Sequence, residues 1–305
     1  MNKQKAFKIL VPATSANLGP GFDCLGAALD LWNECNFSFS EDKEIRVEIE
    51  GEGHGVLPED KTNLIIQAIF SIAEEFSLEI PNGIHLYCKN NIPVKSGLGS
   101  STAAAAAGLL FISQLAGLNF QEQDLVNIGV QFEGHADNLA ACIFGGLTIT
   151  AKDGDKYITD KVKIKNFDVV IAVPEINFST KDARAILPNN VLLEDAVFNI
   201  SHTSLLLQGL QRGNKKLVST AMKDALHQKH RLAQIPGAEE AITAALQTGA
   251  ISACLSGAGP SVIAFTDSHH SEIGSSMKNA FEKASIPSRI IRTTISNQPA
   301  HLVIE

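Results

Sequence analysis

Apolar side chains along this chain recur with two periods, and the switches between them outline the elements. Ile45, Val47 and Ile49 alternate with Arg46, Glu48 and Glu50, the pattern of a strand with one buried face. The Ser40-Glu41-Asp42-Lys43 turn before it predicts a hairpin partner over roughly 28–39. Ile65, Ile69, Ile72 and Phe76 recur at helical spacing and predict an amphipathic helix over about 62–77. Short apolar runs at 7–11 and 84–88 read as strands. From 100 to 116 the chain is apolar on every face, the mark of a buried helix, and Gly117 closes it. Asn119 followed by Glu122 has capping-box spacing and opens a helix to about Phe132.

A charged, turn-rich stretch at 151–165 marks the expected boundary between two domains, 1–160 and 161–305. Beyond it, 168–173 reads as a strand, followed by helical patterns near 192–211, 215–228 and 237–248. Strands at 251–255 and 261–265, a helix near 270–285, and strands near 288–295 and 301–304 complete the chain. Strands mixed with helices, without regular β-α-β alternation, favour two α+β domains over a doubly wound sheet.

Composition narrows the function classes. The 305 residues suffice for about two domains with their own cores, and 45% apolar against 19% charged residues describes a folded chain. Subtracting 33 acidic from 25 basic residues gives −8, with no basic block, which excludes a nucleic-acid binder. The longest apolar run, 103–112, is about half of a bilayer span, and Lys3, Lys5 and Lys8 precede only Ile9-Leu10-Val11 before Pro12. Neither a membrane segment nor a secretory signal is expected. Five cysteines, an odd number without a CxxC pair, fit a reducing cytoplasm.

The sharpest chemical feature is Pro93-Val94-Lys95-Ser96-Gly97-Leu98-Gly99-Ser100-Ser101-Thr102, which runs straight into the apolar helix. Glycines let backbone approach a ligand, and the first N–H groups of a helix have no partner within it, so phosphate is the natural occupant. Ser100 and Ser101 add hydroxyls for a phosphate oxygen or Mg²⁺. The order of residues is not that of a Walker A loop, and a plain strand-to-helix turn with serine caps is the alternative. A second glycine loop spans 11–23 and shows neither strand nor helix; Asn17 and Asp23 are its polar side chains, fitting either a site or an Asx-stabilised turn. A third, 256–261, reads as a tight hairpin turn between strands.

Glu133 falls on an apolar helical stripe with Val126 and Val130 and therefore needs a partner: a cation, a metal or the helix end. His135, Asp137 and Asn138 follow it. Joined to the serine-rich loop, this carboxylate gives the hard oxygen set that Mg²⁺ prefers, whereas a capped helix C-terminus is the simpler reading. Arg184 and Arg231 offer planar forks that suit one carboxylate, and surface ion pairs are again simpler. His227, His230, His269 and His270 lack a third ligand at zinc spacing and read as mostly exposed.

Taken together and in order, these segments resemble the GHMP kinase superfamily. The 93–101 loop is similar to its phosphate-binding motif. The segments at 12–23, 133–138, 179–184, 227–231 and 255–261 resemble its homoserine kinase branch. The resemblance implies a ribosomal protein S5 domain 2-like N-terminal domain and a ferredoxin-like C-terminal domain. It also implies ATP-dependent phosphorylation of the L-homoserine hydroxyl, for threonine biosynthesis, by a cytoplasmic homodimer. By the same match, the segment from Pro93 through Ala103 wraps the nucleotide phosphates, Ser101 and Glu133 hold Mg²⁺, and Asn63 meets adenine. Asn17, Asp23, His135, Asn138, Thr180, Arg184 and Arg231 then form the amino-acid site. Mevalonate-type relatives carry an aspartate base where Asn138 stands; an amide cannot take a proton, so no side-chain base is expected and Asn138 would orient the hydroxyl. Thr102 replaces the usual alanine, Ala136 and Ala141 replace prolines, and Ser96 stands where many relatives carry arginine. These departures bear on nucleotide affinity. The competing readings are another small-molecule kinase of the superfamily, a catalytically silent sensor of the same fold, or a zinc hydrolase.

Overall fold

The computed structural model describes residues 6–40, 44–81 and 83–303. A seven-stranded sheet is built on β1 (Phe7–Ala16) and β2 (Leu25–Ser40), which pair antiparallel. β1 outruns the expected strand by five residues. A register shift between Pro12 and Ala13 lets the chain pass its proline and resume pairing from Ala13↔Leu29 to Ala16↔Gly26. The first part of the loop expected at 11–23 is therefore strand, hidden in the sequence by a bulge.

The hairpin expected between 28–39 and 45–49 does not form. β4 (Gly83–Asn90) lies between β2 and β3 (Ile45–Gly51), antiparallel to the first and parallel to the second. Alternation reports which face of a strand is buried, not which strand lies beside it. The turn at 41–43 falls outside the described residues. β5 (Leu147–Asp153) and β6 (Lys156–Val162) form a hairpin that joins this sheet through Leu25↔Ile149. Most of the stretch at 151–165 is thus paired strand.

Four helices cover the sheet: α1 (Leu64–Glu75), α2 (Ser100–Ala116), α3 (Glu122–Glu133) and α4 (Asp137–Phe144). α2 has the expected bounds and ends at Gly117 in the left-handed region. Its small residues let α1 cross closely, since a Cβ on Gly108 would come within 2.7 Å of the Ile65 carbonyl oxygen. The cap of α3 lies two residues later than its spacing suggests: Asp124 Oδ2 accepts from the Gln121 N–H at 3.1 Å.

The second sheet is antiparallel throughout, in the order β10 (Ser288–Thr294), β7 (Asp168–Pro174), β9 (Val262–Thr266), β8 (Ser252–Leu255). Val169, Ile171 and Val173 of β7 enter the large apolar cluster that also holds Phe37 and Phe111, while Val170 and Ala172 enter a smaller cluster with Met277 and Phe281. Burial on both faces explains the unbroken apolar run of this strand. Around the sheet run α5 (Thr180–Ala185), α6 (Leu193–Arg212), α7 (Lys215–Ala221), α8 (Gln228–Leu232), α9 (Ala238–Gln247) and α10 (His270–Lys283). The pattern at 215–228 divides into α7 and the start of α8, because the Asp224 carboxylate accepts the N–H groups of Leu226, His227 and Gln228 and begins a new helix. The final strand, β11 (His301–Val303), returns to the first sheet beside β1. No described helix is long and apolar enough to cross a membrane.

Candidate active site

The three glycine loops, distant in sequence, are laced into one structure. Thr14 N–H donates to the Leu98 carbonyl at 3.0 Å, Ser261 N–H to Ser96 at 3.2 Å, and Gly257 N–H to Ala16 at 3.0 Å. The Ser256 hydroxyl donates to the Gly97 carbonyl at 2.8 Å, and the Asn17 amide to the Gly257 carbonyl at 2.7 Å. The 256–261 segment is the expected hairpin turn, and it also forms one wall of a cavity of about 360 Å³. Lys95, Gly97 and Gly99 all take left-handed φ values, of 54°, 80° and 71°. At Gly97 a side chain would run into the Ser256 and Gly259 carbonyls, and at Gly99 into the Thr14 hydroxyl, so only glycine lets these segments touch.

Gly99 caps α2 without a side chain, and the first helical bond runs from Ala103 N–H to the Gly99 carbonyl at 2.8 Å. The N–H groups of Ser100, Ser101 and Thr102 therefore have no partner within the helix, and all three residues line the cavity. Lys95, Ser96, Gly97 and Ala103 line it too, whereas Pro93 and Leu98 do not. Those two hold the loop through their carbonyls, Pro93 accepting from the Ser96 hydroxyl at 2.8 Å. Glu133 stands at the end of α3, half-buried at the cavity rim rather than on the buried stripe. Its Oε2 accepts the Thr102 hydroxyl at 2.7 Å and the Ser101 hydroxyl at 3.2 Å. One carboxylate beside two hydroxyls at an open helix N-terminus is a donor set that fits Mg²⁺ shared with phosphates and water. Asn63 lines the cavity while capping α1: its Oδ1 accepts from Ile65 N–H at 3.0 Å and its Nδ2 donates to the Pro58 carbonyl at 2.8 Å.

At the other end of the cavity the groups are charged side chains. Asp23 has φ 54° and its N–H donates to Asn17 Oδ1 at 3.0 Å. Arg184 binds the Asp23 carboxylate bidentately, both bonds being 2.9 Å, and this pairing raises the guanidinium pKa further. Arg231 is not the surface residue that its sequence neighbours suggest; it is only 2% exposed, and burial pulls its pKa down to about 10. Phe22 carries both guanidinium groups, with Arg184 Cζ 5.7 Å and Arg231 Cζ 5.2 Å from its ring centroid. Asp137 is buried, which raises its pKa; its Oδ1 accepts the Asn138 N–H at 2.8 Å and lies 3.7 Å from His135 Nδ1. That nitrogen has no hydrogen-bond partner among the described residues. Asn138 Oδ1 accepts the Thr14 hydroxyl at 2.8 Å. Thr180, the first residue of α5, completes the wall.

The cavity thus gathers Asn17, Asp23, Asn63, Ser101, Glu133, His135, Asn138, Thr180, Arg184 and Arg231. Sequence reasoning gave no role to Thr14 or Phe22 and none specific to Asp137; the packed Thr-Ser and Gly-Phe-Asp segments flanking Asn17 were the available signals. His227, expected to be exposed, is fully buried beneath Arg231. No cluster of three metal-ligating His, Cys, Asp or Glu side chains exists among the described residues.

Two family models match the chain, "GHMP kinases N terminal domain" over residues 63–146 and "GHMP kinases C terminal" over 206–283. A homoserine kinase of Moorella thermoacetica is 39% identical over 279 residues, covering 91% of this chain and 93% of its own. A homoserine kinase of Nostoc punctiforme is 35% identical, covering 98% and 99%. The crystal structure of homoserine kinase from Cytophaga hutchinsonii superposes with a TM-score of 0.87 at 32% identity, covering 99% of each chain. A mevalonate kinase of L. major bound to R-mevalonate superposes at 0.69 with 17% identity over 98% of this chain and 97% of its own, a likeness of fold alone.

Proposed function

The chain belongs to the GHMP kinase family, and from that premise we propose that it is a homoserine kinase, transferring the γ-phosphoryl group of ATP to the side-chain hydroxyl of L-homoserine. The observation that carries the reading is one cavity with a helix N-terminus for phosphates at one end and a carboxylate–guanidinium group at the other. Homoserine is a zwitterion. Asp23 suits its ammonium, Arg184 and Arg231 its carboxylate, and the hydroxyl is then left toward the 97–101 loop. Neither mevalonate nor galactose has an ammonium group for Asp23 to meet. A coupled ADP-release assay across homoserine, mevalonate, galactose and shikimate tests this, and absence of homoserine turnover sinks it.

Phosphoryl transfer asks mainly for positioning and charge neutralisation. Ser101 and Glu133 would hold Mg²⁺, which when bound neutralises charge on the transferring phosphates. The backbone N–H groups of residues 100–102 orient the phosphate oxygens, and Asn63 retains one amide hydrogen for the adenine. Because Thr14 occupies Asn138 Oδ1, the Asn138 Nδ2–H₂ is the free end, a donor that orients the substrate hydroxyl oxygen and takes no proton. The hydroxyl proton passes to phosphate or solvent. Asn138→Ala is expected to lower kcat about 10- to 100-fold with little change in the ATP KM, and Glu133→Gln to lower it further. An Asn138→Ala enzyme with unchanged kcat would remove the orienting role. The same reading makes the protein a cytoplasmic homodimer of the threonine pathway, testable by sedimentation of the purified chain.

A further inference from the structure

We infer that His227 is a positioning residue: it aims the buried Arg231 guanidinium at the substrate carboxylate, a role that rests on the homoserine kinase reading. A guanidinium has five N–H donors and no acceptor. In Arg231, Nε–H donates to the Ala183 carbonyl at 3.2 Å, and Nη1 donates to the Gly257 carbonyl and to His227 Nδ1, each at 3.2 Å. All three acceptors are neutral, and no carboxylate among the described residues forms an ion pair with Arg231. The two Nη2 hydrogens are left for the cavity that Arg231 lines, so the ligand supplies the missing negative partner.

The tautomer of His227 follows from its neighbours. Nδ1 faces an N–H that can only donate, so Nδ1 accepts and the proton sits on Nε2. That nitrogen lies 2.8 Å from the Gly19 carbonyl, which can only accept. One ring therefore ties Arg231 to the loop that presents Asn17 and Asp23. The ring itself has little freedom. Phe22 stacks on it at 5.2 Å with an interplanar angle of 26°, and Asp224 accepts its backbone N–H at 2.9 Å. Asp224 is fixed in turn by the Asn199 amide at 2.7 Å, and the same amide donates to the Pro20 carbonyl at 3.0 Å. Both walls of the amino-acid end are thus referred to one buried network.

Two isosteres separate the functions of the ring. His227→Asn places Oδ1 where Nδ1 stood and keeps the acceptor for Arg231; His227→Gln places an N–H where Nε2 stood and keeps the donor for Gly19. The expected result is a homoserine KM raised about 10- to 100-fold in the Gln variant and within about threefold in the Asn variant, with the ATP KM unchanged in both. The Gln penalty should also vanish with 2-aminobutane-1,4-diol, which is homoserine with its carboxylate reduced to an alcohol. Equal penalties in the two variants, a milder effect in the Gln variant, or a penalty that persists with the diol overturns the proposal. Loss of a cooperative melt in either variant assigns His227 to the fold and overturns it too. A wild-type enzyme that leaves homoserine untouched rejects the parent reading instead.

Discussion

Under the N-terminus of α2, Lys95 is the only charged side chain from Asn90 to Ala107, and the groups offered to an anion are backbone N–H and hydroxyl. At the other end, Asp23, Asp137, Arg184 of α5 and Arg231 of α8 line the same cavity, two acids against two bases, with a formal sum of zero. The phosphate end uses the partial charges of a helix start, about half a unit of charge that comes with the backbone and needs no particular side chain. The amino-acid end uses full charges: Asp23 and Arg184 pair with each other, whereas buried Arg231 has no acidic ion-pair partner among the described residues, a costly state that favours a ligand supplying one. A zwitterion adds no net charge to a balanced set. Under the proposed function, the first end suits phosphates in general and the second decides the acceptor.

The two ends should consequently fail separately. Arg231→Leu removes the buried cation and leaves the substrate carboxylate facing apolar surroundings. A kcat/KM for homoserine lowered about 1000-fold is expected, since truncating one partner of a buried charge pair costs about 2–5 kcal/mol, with the ATP KM within about threefold of wild type. Arg184→Leu should cost about tenfold, because this guanidinium is half-exposed and water partly replaces it. Steady-state kinetics with each substrate varied in turn checks both. An ATP KM that rises in step with that for homoserine would mean that the cavity behaves as one unit.

Gly97→Ala tests the opposite end with a smaller effect. The added methyl meets two backbone carbonyls of the 256–261 turn at a φ of 80°, so neither side can yield without moving a loop. A cost of about 1–3 kcal/mol follows from a forced left-handed residue. The expected outcome is an ATP KM raised about tenfold and a lowered melting temperature, with a smaller change in homoserine affinity measured by calorimetry, because the Gly257 carbonyl of the same turn accepts from Arg231 and Asn17. A change confined to homoserine would break the separation of the two ends.

The same contrast decides what could be read from the sequence. The phosphate end is local: glycines, two serines and an Ala-rich helix are contiguous, and α2 begins and ends at the residues its pattern marks. The amino-acid end comes from four separated segments, and each alone resembles ordinary surface. Gln228-Lys229-His230-Arg231 reads as a polar helix turn, yet Arg231 is buried because its acceptors, Ala183, His227 and Gly257, converge from three places. Periodicity located β3 but not its neighbour, since β4 reaches it from more than thirty residues away in the chain. It also missed the second half of β1, where Pro12 and small residues conceal a strand carried past a bulge. Thr102 places a second hydroxyl on Glu133, visible only once α2 and α3 are brought together.

The smallest effect concerns pH, and it should appear at the amino-acid end. Burial holds the His227 pKa below its ordinary 6.5, and Arg231 pushes in the same direction, while Asp224, the Gly19 carbonyl and Asp23 pull upward. In the unfolded chain the imidazole takes up a proton near its ordinary value, whereas in the folded protein it stays neutral to lower pH. The unfolded state therefore binds more protons in that interval, so the stability His227 contributes is complete above about 6.5 and is lost as pH falls toward the folded pKa. Asp137 acts with the opposite sign: its raised pKa means the folded state takes up protons first, which favours folding as pH drops. Melting temperatures measured at about pH 7.5 and about pH 5.5 should fall more on acidification in wild type than in His227→Asn, which has no titrating ring. Over the same interval the homoserine KM of wild type should rise more than that of the Asn variant, because a protonated ring turns its Nδ1 acceptor into a donor facing Arg231. Equal acid sensitivity in the two proteins would place the titrating group elsewhere and leave His227 out of the pH response.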